Sequence, residues 1–220
     1  MVKHAQRIVV ATHNAGKVKE IARIISDEMK KIDAHTEFEF VTSSQMNLPD
    51  PVEDGTTFAE NALLKARDAS ARTGLPAMAD DSGLIVDVMG AAPGILSARW
   101  AGKHGDDAAN NALLVAQMSD IPDAVRTARF RCAAALVIPS ELTDVNDGKP
   151  LEIVEVGEMT GRLLREPRGE NGFGYDPLFV PDEQDGDLTS AEMSADQKNA
   201  ISHRGKALRA LAKHFEVLKN

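Results

Sequence analysis

Cysteine, aromatic residues, basic charge and long apolar runs are all scarce in this chain, and each scarcity excludes a class of protein. Cys132 is the single cysteine among 220 residues, so no intramolecular disulfide can form and a reducing compartment is favoured. No apolar run approaches the roughly 20 residues that a membrane-spanning helix needs. The opening Met1-Val2-Lys3-His4 leads into a strand-like run without a signal-peptide core, so a cytoplasmic location with no membrane partner is expected. Lys and Arg number 25 against 34 Asp and Glu, a net charge of −9. Nucleic-acid binding rests on a basic face, so no nucleic-acid partner is expected, although a small anion held by a few local cations remains compatible. Aromatic residues are only 4% of the chain, so a short stretch holding two of them stands out.

What the chain does have is an ordinary globular balance, 43% hydrophobic and 27% charged, and enough length to bury a full core. It is read as one domain, 1–220. Arg7 to Thr12 is a continuous apolar run, hence a buried strand. His13-Asn14-Ala15-Gly16 forms a turn. Lys17 to Met29 then places Val18, Ile21, Ile25 and Met29 at helical spacing, and Glu37 to Val41 alternates as a strand should. A second helix runs from Thr57 to Arg72 with Gly74 as its stop. Asp106 or Asp107 caps a helix reaching Met118. Ala128–Ile138 and Leu151–Leu164 read as a hairpin around the polar loop 140–150. Thr189-x-x-Glu192 has the form of a capping box for a short helix, and Ser202 caps a last helix with the stripe Ala207, Leu208, Leu211, Ala212, Phe215 and Leu218. The alternation of strands and helices makes this an α/β protein.

The feature with most chemical content is Asp80-Asp81-Ser82-Gly83, set between the apolar flanks Leu75–Ala79 and Leu84–Val88. Adjacent carboxylates at a buried strand are costly unless a cation compensates them, and a divalent metal is a natural partner in an acidic chain. Successive strand side chains face opposite ways, so one aspartate is functional and the other meets the backbone or joins from a bend at Gly83. An Asx-rich turn between two strands is the plain alternative. Thr12 to Lys17 joins a strand to a helix N-terminus, which favours anions; it is not a Walker A loop and serves equally as an ordinary turn. Glu53 and Asp54 offer oxygen ligands, or simply a solvated loop. Asn61 and Lys65 share one helix face, from which Lys65 reaches a phosphate or lies on the surface. Gly169 to Asp176 holds Phe173 and Tyr175 among glycines, suited to stacking on a nucleobase or to plugging the core. Lys198 to Lys206 gathers anion-binding donors at a helix start. Together, acids for a metal, dispersed lysines and an aromatic–acid loop suggest a nucleotide polyphosphate with magnesium.

The blocks ATHNAGKVKE, FAENALLKA, ADDSGLIVDVMGAAPGILSARWAG, GFGYDPLF and SHRGKAL occur in this order from about Ile8 to about Leu211. They closely resemble the non-canonical purine nucleoside triphosphate pyrophosphatases, the inosine triphosphate pyrophosphatase family. The resemblance implies an α/β fold with an elongated central mixed sheet flanked by helices, two lobes with an active-site cleft between them, and a homodimer. It implies Mg²⁺-dependent hydrolysis of ITP, dITP and XTP to the monophosphate and pyrophosphate. By position, Thr12, His13, Asn14, Ala15, Gly16 and Lys17 correspond to the phosphate-binding turn and Lys65 to a further phosphate contact. Asp81 corresponds to the proton acceptor and metal ligand, Glu53 to the second metal ligand and Ser82 to a substrate contact. Phe173, Gly174, Tyr175, Asp176, Lys198, His203 and Arg204 correspond to the base and substrate set, and Lys17 and Lys65 join Asp81 as catalytic residues. His13 stands where glycine is common, and the loops 140–150 and 182–187 carry no family motif.

Overall fold

The computed structural model describes residues 6–13, 15–32, 38–143 and 147–219, with the side chains of 15–17, 32 and 219 outside that description. Six strands, β1 (Gln6–Val10), β2 (Phe38–Thr42), β3 (Ala77–Val86), β4 (Thr127–Ile138), β5 (Leu151–Leu163) and β6 (Phe179–Pro181), form one sheet in the order β2-β1-β3-β4-β5-β6. β1 pairs in parallel with β2 and β3, and β5 pairs antiparallel with β6, so the sheet is mixed, as expected. Leu163 N donates to Arg126 O at 2.9 Å, joining the end of β5 to the residue before β4 as a hairpin requires. The helices are α1 (Ala15–Ile32), α2 (Phe58–Thr73), α3 (Asp107–Gln117), α4 (Ala195–Ile201) and α5 (His203–Ala212).

The chain divides into two compact units, one of Met1–Asp81, Ala133–Val156 and Lys206–Asn220, the other of Ser82–Cys132 and Gly157–Gly205. In the first, α2 lays Ala69 on Val9, Val41 and Ala77 of the strands. In the second, Leu84, Val86, Ala128, Phe130, Met159 and Leu163 pack with Leu114 and Met118 and with Tyr175, Leu178 and Phe179. Asp81 is the last residue of one unit and Ser82 the first of the other, so the tetrapeptide singled out in the sequence straddles the division.

Four expectations are corrected. Asp80-Asp81-Ser82-Gly83 is not a turn between two strands: β3 runs through it unbroken. Gly83 is not a bend but a close approach, since a Cβ there would strike Ser97 Oγ and Gly94 O. Asp80 is accordingly buried and Asp81 partly buried, its side chain 16% exposed. Thr189 and Glu192 do exchange the capping-box hydrogen bonds, at 2.8 and 3.2 Å, but within a turn; α4 starts later, with Ser194 and Gln197 forming its own box. α1 begins at Ala15, two residues before the expected start. β6 was not foreseen, because three residues ending in Pro181 carry no readable alternation; proline suits this edge strand.

Arg126 ties three element ends together. Only 2% exposed, it donates to Met118 O (2.6 Å), Leu163 O (2.9 Å) and Leu164 O (2.8 Å), the carbonyls that end α3 and β5. Burial lowers its pKa from the ordinary arginine value. We expect Arg126→Met to cost about 3–5 kcal/mol, because buried carbonyls lose their donors together. The urea midpoint checks this; a loss below about 1 kcal/mol would show that these bonds contribute little net stability.

Candidate active site

Within the first unit, α2 and β3 bring three side chains to one place. Thr57 caps α2 and Glu60 completes the box, its carboxylate accepting from Thr56 N (2.7 Å), Thr56 Oγ1 (2.8 Å) and Thr57 N (3.2 Å). That fixed start sets the phase of the helix, and the i,i+4 pair Asn61 and Lys65 both point at Asp81. Lys65 Nζ lies 3.4 Å from Asp81 Oδ1 and 3.0 Å from Glu53 Oε1. Asn61 Nδ2 donates to Asp81 Oδ2 at 3.3 Å, and its Oδ1 accepts from Gly55 N at 2.9 Å. One buried amide therefore links the Asp81 carboxylate to the loop that carries Glu53. Gly55 is obligatory here, since a Cβ would stand 2.5 Å from Asn61 Oδ1.

The charges do not balance. Burial pulls the Lys65 pKa down, but Asp81, Glu53 and Asp80 together outweigh it and the net direction is up. Asp81 also ends above the ordinary carboxylate value: burial raises it most, Lys65 lowers it, and Glu53 raises it again. Two carboxylates, Glu53 and Asp81, share the one Lys65 ammonium. Oxygen donors with excess negative charge suit a hard divalent cation. Among the described residues no set of three or more His, Cys, Asp or Glu is arranged as a metal site; a hard cation held by one or two carboxylates would complete its shell from water and phosphate. Glu53 and Asp81 are the carboxylates here that could hold such a cation. A pocket of about 60 Å³, bordered by Ala11, Asp50, Glu53, Lys65 and Asp68, leaves Glu53 and Lys65 accessible to a small ligand.

The strand-to-helix turn is described in part. Thr12 O accepts from Ser43 N at 3.2 Å. The His13 ring lies between Ser44 Oγ (2.9 Å from Nδ1) and Asp50 Oδ1 (3.0 Å from Nε2). Asn14 and the side chains of Ala15, Gly16 and Lys17 lie outside the described residues, while the backbone of 15–17 forms the first turn of α1.

The second unit collects the remaining candidates. Phe173 is 63% exposed, so it does not plug the core. Lys198 Nζ stands 5.3 Å and Arg204 Cζ 5.8 Å from its ring centroid, within cation–π range. Asp176 is buried; its Oδ2 accepts from Phe173 N at 2.9 Å and pairs with Lys198 Nζ at 2.5 Å. Arg204 Nη2 donates to Ser82 Oγ at 3.4 Å. His203 is buried and stacked on Phe130, with centroids 4.9 Å apart and planes at 13°. Tyr175 is turned into the core, where its hydroxyl donates to Ser97 O at 2.9 Å and burial raises its pKa, so the ring is not available to a ligand.

The family model described as the Ham1 family matches residues 8–214. The chain belongs to the Ham1 family. It is 59% identical to the dITP/XTP pyrophosphatase of Bifidobacterium animalis subsp. lactis, over 93% of this chain and 94% of that protein. Among solved structures, a HAM1 protein from Coxiella burnetii matches with a TM-score of 0.80 at 38% identity, covering 96% of this chain and 98% of its own. The nucleoside-triphosphatase / dITP/XTP pyrophosphatase of Mycobacterium abscessus matches at 46% identity and a TM-score of 0.74, over 94% and 98%. The family inferred from five motif blocks is thus borne out, and so is the α/β fold. Members of the Ham1 family are metal-dependent nucleotide pyrophosphatases. No helix among the described residues is long and apolar enough to cross a membrane.

Two groups in this Ham1 chain escaped the sequence reading. Asn61 was placed on the Lys65 face by its spacing, but its grip on Asp81 and Gly55 was not legible. Asp107 and Asn111 read only as parts of a capped helix, yet both bind the backbone of Gly174; 63 or more residues of separation hid that.

Proposed function

We propose that this chain is a nucleoside triphosphate pyrophosphatase that hydrolyses ITP, dITP and XTP to the monophosphate and pyrophosphate, with Mg²⁺ as its metal, and so clears these nucleotides from the pool. The observation that carries this reading is the Glu53–Lys65–Asp81 group, where one ammonium is shared by two carboxylates and burial raises the Asp81 pKa. The names of the relatives support the substrate class. Water attacks the α-phosphorus in line, its proton passes to Asp81, and pyrophosphate departs with the electrons of the α–β bond. Glu53 and Asp81 would hold the magnesium, which when bound would polarise the phosphate oxygens and lower the pKa of water. Lys65 and Lys17 stabilise charge developing on those oxygens, with the Thr12–Gly16 turn supplying backbone donors. Phe173 stacks on the base. Lys198 and Arg204 favour an oxo group at purine C6, where the amino group of adenine leaves a donor unpaired; guanine carries the same oxo group, so its rejection rests on its 2-amino group. Asp176 holds Lys198 in place, Ser82 and His203 line the same segment, Gly174 contributes backbone, and Tyr175 anchors the loop through its buried hydroxyl. The enzyme acts as a cytoplasmic homodimer, and 1–220 is one catalytic domain, the latter supported by β3, β4 and β5 each giving residues to both units.

The test is a panel of dITP, XTP, dATP, dGTP, dTTP and UTP with Mg²⁺, measuring phosphate and pyrophosphate separately. Pyrophosphate release confined to dITP and XTP is expected. A preference for a pyrimidine, or orthophosphate as the product, would overturn the reading.

A further inference from the structure

Phe173 is 63% exposed, so apart from the Lys198 and Arg204 cations near its ring, the position of that ring is set by the backbone on either side. Phe173 N is held by Asp176 Oδ2 at 2.9 Å. On its other side, Gly174 N donates to Asp107 Oδ2 at 2.6 Å and Gly174 O accepts from Asn111 Nδ2 at 2.8 Å. Asp107 and Asn111 are four apart on α3, hence on one helix face, and together they grip the N–H and the C=O of a single residue. Gly174 takes φ +62 with open space where a Cβ would sit, so it is glycine for its conformation, and the grip keeps that conformation in one orientation. We propose that Asp107 and Asn111 are positioning residues that fix Phe173 for the base of the substrate. This rests on reading 173–176 as the base-recognition segment, and it adds residues to that site which none of the five motif blocks contains.

Two observations separate this role from simple loop stabilisation. Asp106 is the N-cap of α3, its side chain accepting from Ala109 N at 3.2 Å, so Asp107 is not needed to start the helix. Asn111 Oδ1 is buried with no hydrogen-bond partner. An unsatisfied buried acceptor destabilises a fold, so asparagine at this position serves Gly174 at the expense of stability. A side chain chosen for stability alone would not leave that atom orphaned.

The experiment uses the full chain with Asp107→Ala, Asn111→Ala and Asp107→Asn. It measures kcat and KM for dITP with Mg²⁺, inhibition by pyrophosphate, dIMP affinity by calorimetry, and the melting temperature. Each alanine variant is expected to raise KM and the dIMP Kd about five- to tenfold, the range that one hydrogen bond supplies. The expected kcat stays within about twofold, because an interaction lost equally from ground and transition states leaves it unchanged, and inhibition by pyrophosphate, which lacks a base, is unchanged. Asp107→Asn keeps an acceptor for Gly174 N and restores wild-type KM. Asn111→Ala melts no lower than wild type. Should Asp107→Ala fail to fold, Asn111→Ala decides. Unchanged dIMP affinity in the alanine variants, or equal losses for dIMP and pyrophosphate, would overturn the inference. Failure of wild type to turn over dITP while dIMP affinity still falls in the variants would instead overturn the proposed reaction and leave the positioning role standing.

Discussion

Asp81→Asn stops pyrophosphate release, with kcat on dITP falling about 10³-fold, within the span that a general base supplies. The substitution keeps the size of the side chain and one oxygen to accept from Asn61, so the geometry around Asn61 Nδ2 and Gly55 N survives. What is lost is the site that receives the proton of water, together with one carboxylate for the metal. Nucleotide binding therefore changes far less than turnover, and the KM-against-kcat split is the decisive readout. Single-turnover pyrophosphate release measured beside equilibrium binding of a non-hydrolysable dITP analogue checks both halves. Near-normal turnover would remove Asp81 from the role of base. Asp80, one residue away, cannot take over: β3 is unbroken, so its side chain projects to the opposite face and is buried.

Which of two adjacent aspartates works is a question that strand alternation poses and cannot answer, and only the motif resemblance pointed to Asp81. Alternation says that they diverge, but choosing between them needs the partners, and these come from α2 and from the loop around Glu53. The same limit governs Lys65. Its spacing from Asn61 placed both on one face, yet whether that face meets solvent or a carboxylate depends on how α2 lies on the strands. Periodic elements were legible because each follows from residues a few positions apart: α2 with its glycine stop, β4 and β5, and the buried stripe of α5. The plain alternative for 80–83, a turn, arose because Asp, Ser and Gly favour turns locally; tertiary contact with Ser97 and Gly94 fixes it as strand instead. Gly174 shows the remaining limit. Its glycine was visible, but the two α3 residues that hold it lie far upstream in the chain, and neither belongs to a motif.

Lys65→Met is expected to lower kcat by about 10²–10³, the scale of losing one preorganised stabiliser of transition-state charge, and at the same time to tighten the binding of bare metal. In the wild-type group, the Lys65 ammonium already sits against Glu53 and Asp81, so a divalent ion arriving alone competes with it. A metal arriving on a triphosphate does not, because the phosphates draw the lysine away. Removing the ammonium leaves the carboxylates without that competitor, and Mn²⁺ affinity without nucleotide, read by electron paramagnetic resonance at pH 8, should rise about tenfold. That is only about 1.4 kcal/mol, well within what one unit charge contributes near a protein surface. Unchanged or weaker Mn²⁺ binding would show that Lys65 does not guard the site, whatever happens to kcat. The titrations carry the same sign. Lys65 lowers the Asp81 pKa and Glu53 raises it, so in the metal-free protein the Asp81 carboxyl should move up in Lys65→Met and down in Glu53→Gln, as carbon NMR would register. Stability follows from the lysine side too. Its pKa is raised from 10.5, so its favourable contribution is complete below that pH and is lost as pH rises through the folded value. Wild type should therefore lose stability at alkaline pH through a step that Lys65→Met lacks.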